Sequence, residues 1–255
     1  ATDSRTLKGG ELFFALKGEN SDGNEYALKA LEAGAAYAVI NADSSAASHQ
    51  DERLIKVEDT LKTLQDLARW HRSMTFVDGK PLPVIALTGT NGKTTTTWVL
   101  AELLRAAGRK CGYVTTVEVD TGFRKFSTGY TTPPLKVLKD IFAEMEQNGL
   151  TDCVMEVSSH AVTLERIGGT HFDIAAFTNL TEDHLDFHKT MENYCDAKAI
   201  LFQNSAAAVC NADDPWTERL LRNAECDTLL YSVQADSDLK AEDVELAADH
   251  VAFTA

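Results

Sequence analysis

The run LTGTNGKTTTT, Leu87 to Thr97, sets the reading of the rest of the chain. A standard phosphate loop has the form G-x-x-x-x-G-K-[ST]. Here Gly92-Lys93-Thr94 supplies the end of that pattern, but Leu87 stands where the first glycine belongs. The physical requirements are nevertheless met. An apolar strand ends at Gly89, and a short turn containing Gly and Asn can turn backbone N–H groups toward phosphate oxygens. A helix opening at Lys93 adds its N-terminal dipole. Lys93 then brings a point charge to the β- and γ-phosphates, and Thr94 brings a hydroxyl to Mg²⁺. The competing reading, a ligand-free strand-to-helix turn, does not account for strand, loop, GKT and helix occurring together.

Outward from the loop, strands and helices alternate. VIALTG is a strand and 93–107 a helix; CGYVTT is a strand and 133–148 a helix with proline in its first turn. DCVMEVSS and FDIAAFTNL are strands, 191–203 a helix, AAAVCNA a strand, 215–223 a helix and TLLYSV a strand. Near-continuous apolar strands between helices predict a parallel sheet covered on both faces. Before it, ELFFALKG, AYAVINA and LIKV read as strands around a helix in NEYALKALEAGA, with a second helix from the N-cap Asp59 to Ser73. ADSSAAS reads as a surface loop. The polar, Gly- and Pro-broken VDGKPLP (Val77 to Pro83) is the best boundary, giving domains 1–78 and 79–255.

The net charge of -15 disfavours a nucleic-acid partner. No apolar run is long enough to span a bilayer. The five cysteines are isolated, which fits reduced thiols in a cytoplasmic protein. The chain opens on Ala and stops within HVAFTA, so a fragment is expected.

Three further segments carry chemistry. In MEVSSHAVTLERIGG, Glu156 ends a strand at the side of the sheet where open α/β folds bind ligands. Its carboxylate suits Mg²⁺, or alternatively caps the next helix. In FTNLTEDHLDFHKT, Asp183, His184, Asp186 and His188 crowd together. His184 and His188 would share one face of a helix, so zinc is conceivable, as is a polar loop held by local hydrogen bonds. In MENYCDAKAILF, Lys198 sits among apolar residues; it either snorkels to solvent or, turned inward, is paired or modified.

Taken together, TGTNGKTTT, TTPP, MEVSSHAVTLERIGG, FTNLTEDHLDFHKTMENYCDAK and NADD resemble the ATP-dependent Mur ligases of peptidoglycan synthesis, in their MurE branch. The N-terminal DSRTLKGGELFFALKGENSDGNEYALKALEAGAAYAVI is similar to that branch's UDP-binding domain. The resemblance covers essentially the whole chain, and GTNGKT is the family's own short loop. It implies a small N-terminal α/β UDP-binding domain followed by a P-loop-type parallel-sheet ATPase domain. It also implies a ligase adding meso-diaminopimelate or L-lysine to UDP-N-acetylmuramoyl-L-alanyl-D-glutamate through an acyl phosphate.

Residue by residue, the resemblance implies that Gly89, Thr90, Asn91, Gly92, Lys93, Thr94 and Thr95 hold the ATP phosphates, with Asn211 and Asp214 near adenine or ribose. Thr94, Glu156, His184 and Lys198, the last as a carbamate, would hold two Mg²⁺ ions; Lys93, His184 and Lys198 would be catalytic. Ser4, Glu19, Asn20 and Ser21 match uridine-side positions, and Thr131, Thr132, Ser158 and Arg166 positions around the muramoyl-dipeptide. A cytoplasmic monomer is implied, without membrane insertion.

The chain departs from the pattern at Lys189, where the family often has Gly, and at Leu164, where some members have a polar contact. No counterpart of the family's C-terminal amino-acid-binding domain is found, so this chain alone is expected not to turn over. Two alternatives remain open. A folylpolyglutamate or cyanophycin synthetase relative shares the loop and the modified lysine, although the first of these lacks the DSR domain. A nucleotide-sugar module that only binds would retain the first domain's role alone.

Overall fold

The computed structural model describes residues 1–18, 21–64, 66–67, 82–248 and 250–255. The chain divides into two compact units, Ala1–Arg72 and Ser73–Ala255. The boundary segment 77–83 lies outside the described residues except for Leu82 and Pro83, as does the helix expected to reach Ser73 beyond Leu67.

The first unit is a parallel sheet of β1 (Leu12–Phe14), β2 (Tyr37–Asn41) and β3 (Leu54–Val57) in that order. The Ala27–Glu32 helix closes its core with Ala27, Ala30 and Leu31 against Phe13, Ala38 and Ile40. The helix after β3 starts as its sequence suggests: the Asp59 carboxylate accepts the Lys62 N–H at 2.9 Å. ADSSAAS is more than a loop, because Ser45–Ser48 forms a 3₁₀ turn that buries Ala46.

The second unit is built on β4 (Val84–Thr88), β5 (Cys111–Val114), β6 (Val119–Asp120), β7 (Lys125–Phe126), β8 (Asp152–Glu156), β9 (Phe172–Phe177), β10 (Ser205–Asn211), β11 (Asp227–Ser232) and β12 (Leu239–Lys240). Their spatial order is β12-β11-β10-β9-β4-β8-β5-β6-β7. Every pairing from β12 to β5 is parallel, as the apolar strands predicted; β6 and β7 add an antiparallel edge that the sequence reading did not anticipate. A separate antiparallel hairpin, β13 (Glu242–Leu246) and β14 (Val251–Thr254), follows.

Alternate residues of β4 feed opposite faces. Val84 and Ala86 pack with Leu138, Ile141 and Met155, whereas Leu87 packs with Ala101, Tyr113 and Val154 under the Lys93–Ala106 helix. Both faces are therefore covered. The helix expected from Pro133 begins at Leu135, with Pro134 extended at its N-cap (φ -55°, ψ 149°). The chain passes from β4 to β5 on one side of the sheet and from β8 to β9 across β4, so the winding reverses at β4. Ligands of such sheets bind beyond the strand ends at that reversal.

Candidate active site

The 89–92 turn leaves β4 at this reversal. Gly89 (φ 148°) lies so close to the next loop that a Cβ there would stand 2.0 Å from Thr178 Oγ1. The turn is tied to the segment after β9: Thr90 N–H donates to Asn179 O (2.8 Å), Asn91 N–H to Asn179 Oδ1 (3.0 Å), and Thr178 O–H to Asn91 O (2.8 Å). Gly92 is left-handed (φ 83°) and opens the Lys93–Ala106 helix, whose first turn has no side-chain cap. Its N–H groups are thus available to an anion.

Two lysines meet at the carbonyl of Gly89. Lys93 Nζ donates to it at 2.9 Å and to Thr90 O at 2.7 Å. Lys198 Nζ donates to it at 3.0 Å. Lys198 is 1% exposed, so the snorkelling alternative is excluded. Its ammonium lies 4.5 Å from the Tyr194 ring centroid. Burial, and then the charge of Lys93, push the Lys198 pKa down to about 7. Burial also lowers that of Lys93, against the opposing pull of Glu156 and Asp183. Tyr194, four residues before Lys198 on the Met191–Gln203 helix, has its hydroxyl 3.4 Å from Thr90 Oγ1 and its ring stacked on His188. The i, i+4 spacing was the signal for Tyr194 that the sequence reading passed over.

Glu156, on β8 beside Leu87 of β4, is 1% exposed. Its carboxylate accepts the Thr116 N–H (2.8 Å) and O–H (3.2 Å). It does not cap the following helix; Ser158 does, accepting the Ala161 N–H at 3.2 Å. Around Glu156 the structure gathers the positions matched to the muramoyl-dipeptide. Thr131 Oγ1 is 3.1 Å from Thr116 Oγ1, Thr132 O–H donates to Glu156 O (3.0 Å) and accepts the Ser158 N–H (3.1 Å), and Arg166 donates to Thr132 O (3.2 Å). The Arg166 guanidinium also lies over Tyr130, 5.0 Å from the ring centroid.

The histidine pair does not share a helix face. His184 is the left-handed residue (φ 53°) before the Leu185–His188 turn, and His188 Nε2 is committed to Ser159 Oγ at 2.8 Å. Among the described residues no three His, Cys, Asp or Glu side chains converge as a metal centre, so the zinc reading is withdrawn. His184 stays half exposed, its Nε2 3.5 Å from Asp183 Oδ2. Lys189 takes φ 72°. Glycine adopts that conformation without the steric cost an L-residue bears.

Asn211 and Asp214 brace the loop after β9. Asn211 Nδ2 donates to Thr178 O (3.0 Å), and the Asp214 carboxylate accepts the Leu180 N–H (2.7 Å). Thr94 and Thr95 border a pocket of about 390 Å³ with Trp98, Tyr113, Val117 and Lys125. In the first unit, Ser4 and Ser21 line one pocket of about 590 Å³ together with Arg5, Phe13, Tyr26 and Lys29. Glu19 and Asn20 lie outside the described residues.

The residues present fit the groups implied for them. Glu156 is a hard-oxygen donor whose two hydrogen bonds leave acceptor capacity for a cation such as Mg²⁺. An amine with a pKa near 7 is about half neutral at pH 7, against roughly one part in three thousand for an ordinary lysine. The neutral amine is the form that takes up CO₂.

A glycine turn into a helix N-terminus at the winding reversal of a parallel sheet, beside a buried carboxylate, is the layout of nucleotide-binding α/β units. The Mur ligase middle-domain model matches residues 87–255, and the model of the Mur ligase family catalytic domain matches 1–72. The chain belongs to the Mur ligase family. It is 40% identical over 252 residues to the UDP-N-acetylmuramoyl-L-alanyl-D-glutamate--2,6-diaminopimelate ligase of Clostridium botulinum, covering 98% of this chain and 52% of that protein. It is 37% identical over 264 residues to the ligase of the same name from Bacillus cereus, covering 99% and 52%. A solved structure of a ligase with that name superposes with a TM-score of 0.83 at 27% identity, over 99% of this chain and 52% of that one. MurF from Thermotoga maritima in complex with ADP, at 22% identity and a TM-score of 0.63 over 99% and 54%, shares the fold. The chain spans about half the length of the relatives it matches. No helix among the described residues is long and apolar enough to cross a membrane.

Proposed function

We propose that this chain carries the nucleotide-sugar-binding and ATP-binding parts of a cytoplasmic ligase that joins 2,6-diaminopimelate, or the related L-lysine, to UDP-N-acetylmuramoyl-L-alanyl-D-glutamate. The observation that carries the reading is the meeting of Lys93 and Lys198 on the Gly89 carbonyl, with Glu156 on the adjacent strand. The names of the 37–41% identical relatives support the choice of substrates. A carboxylate is a poor acceptor for an amine until one oxygen becomes a leaving group. The D-glutamyl carboxylate therefore takes the γ-phosphoryl group of ATP, ADP departs, and the incoming amine displaces phosphate from the acyl carbon.

Within that reading, Lys93 turns from the loop carbonyls to the transferring phosphoryl group and offsets its charge. Thr94, Glu156 and His184 would hold Mg²⁺. The neutral Lys198 amine would add CO₂ and release one proton, becoming an anionic carbamate able to ligate a second Mg²⁺. Two such ions would spread the charge that develops during phosphoryl transfer. Thr131, Thr132, Ser158 and Arg166 face the muramoyl-dipeptide, Asn211 and Asp214 the adenosine, and the pocket around Ser4 and Ser21 the uridine. The domain boundary near residue 78 and a monomeric state belong to the same proposal.

The test is calorimetric titration of this chain with UDP-N-acetylmuramoyl-L-alanyl-D-glutamate and, separately, with ATP and Mg²⁺. Both are expected to bind, and Lys93→Ala should abolish only the second. Nucleotide-sugar binding without ATP binding would instead identify a module that only binds. A carbamate resonance from ¹³C-labelled bicarbonate, absent in Lys198→Met, checks the lysine.

A further inference from the structure

We propose that Thr116 is a positioning residue that presents the Glu156 carboxylate to a divalent cation. The inference rests on the reading of Glu156 as a metal ligand. Thr116 lies in the turn after β5, exposed on the ligand side of the sheet. It grips both oxygens of Glu156, Oε1 through its N–H at 2.8 Å and Oε2 through its hydroxyl at 3.2 Å. Two donors from one residue fix the plane of the carboxylate as well as its rotamer. The remaining lone pairs are then held in place before any cation arrives.

An ionised carboxylate only accepts, so the Thr116 hydroxyl is the donor to Glu156 Oε2. The same hydroxyl also faces Thr131 Oγ1 as donor at 3.1 Å, so its one hydrogen lies between the two oxygens. Thr132, next in sequence, donates to the Glu156 main-chain carbonyl at 3.0 Å. Of the TTPP threonines, Thr132 thus holds the Glu156 backbone, and Thr131 meets Glu156 only by way of Thr116.

Mn²⁺ is the probe, titrated into this chain with β,γ-methylene-ATP and followed by the loss of its free-ion paramagnetic resonance signal. Substituting a partner that orients a metal ligand typically weakens the metal about tenfold to a hundredfold. Thr116→Val keeps the backbone donor, so a loss of about tenfold is expected, at an unchanged melting temperature. Thr116→Ser keeps the hydroxyl and should bind like the wild type. Glu156→Gln should lose at least as much as Thr116→Val. If Glu156→Gln weakens Mn²⁺ but Thr116→Val does not, Thr116 has no positioning role and the metal reading stands. Equal losses in Thr116→Val and Thr116→Ser also overturn the inference, since the hydroxyl would then be irrelevant. If the wild type takes up no Mn²⁺, or Glu156→Gln binds it normally, the metal reading itself falls.

Discussion

Gly89→Ala should damage the phosphate loop before any phosphate is involved. The added Cβ would stand 2.0 Å from Thr178 Oγ1, 3.1 Å from Asn179 O and 3.2 Å from Asn179 N. Rotating Thr178 away relieves only the first contact, and it gives up the Thr178 bond to Asn91 O. The other two contacts are backbone, so the loop after β9 must itself shift. Overpacking costs about 1–3 kcal/mol, an L-residue at this positive φ about 1–2, and the lost hydrogen bond about 1, or roughly 3–6 kcal/mol together. For a unit of this size that is a fall in melting temperature of roughly 6–24 °C. Alternatively the loop moves, part of that cost disappears, and the N–H groups no longer converge. Differential scanning calorimetry and ADP titration on the same sample separate the cases. A variant with both wild-type melting and wild-type ADP affinity would falsify the argument that Gly89 is required by its contact with Thr178 and Asn179.

Two further outcomes are expected. The Asp213 carboxylate accepts the Ser232 hydroxyl and the Val233 and Ala235 N–H groups, which hold its pKa down at about 2 against 3.8 for a free aspartate. Because the folded value is the lower one, its contribution is complete above about pH 4 and is lost as pH falls toward 2. Asp213→Asn should accordingly flatten the decline of melting temperature across that window, and an unchanged slope counts against the assignment. Lys189→Gly should raise stability by up to about 1 kcal/mol, because glycine takes φ 72° without the strain an L-residue bears there. A fall in denaturation midpoint would mean that the Lys189 bond to Asp186 O outweighs the strain.

Much of the fold was legible because its signals are local. The apolar runs at 84–88, 152–156 and 172–177 gave the parallel strands, and the 191–203 helix was bounded to the residue. What escaped depends on partners far along the chain. Lys–Phe at 125–126 forms a strand only by pairing with Val119 and Asp120, a pairing that the apolar pattern does not encode. The equal spacing of His184 and His188 promised a shared helix face, yet the helix begins one residue too late and Ser159 claims His188. Thr116 carried no signal at all, because its importance lies in reaching Glu156, 40 residues away.

The missing glycine of LTGTNGKTTTT has a structural cause. Leu87 is fully buried, pairs in register with Glu156 and packs against Ala101, Tyr113 and Val154. The strand thus runs through the position where a longer loop would already have turned, and the turn falls to Gly89. This shortening brings the Gly89 carbonyl within reach of Lys93 from the next helix and Lys198 from a helix over a hundred residues later. Two ammonium groups on one carbonyl oxygen repel, and burial leaves little solvent to screen them. Burial lowers both pKa values, and the charge of Lys93 lowers that of Lys198 further. The surplus of positive charge is relieved if Lys93 swings to a phosphate, or if Lys198 becomes an anion. The short loop therefore couples the two events: a phosphate drawing Lys93 away from Gly89 also removes the charge that lowers the pKa of Lys198.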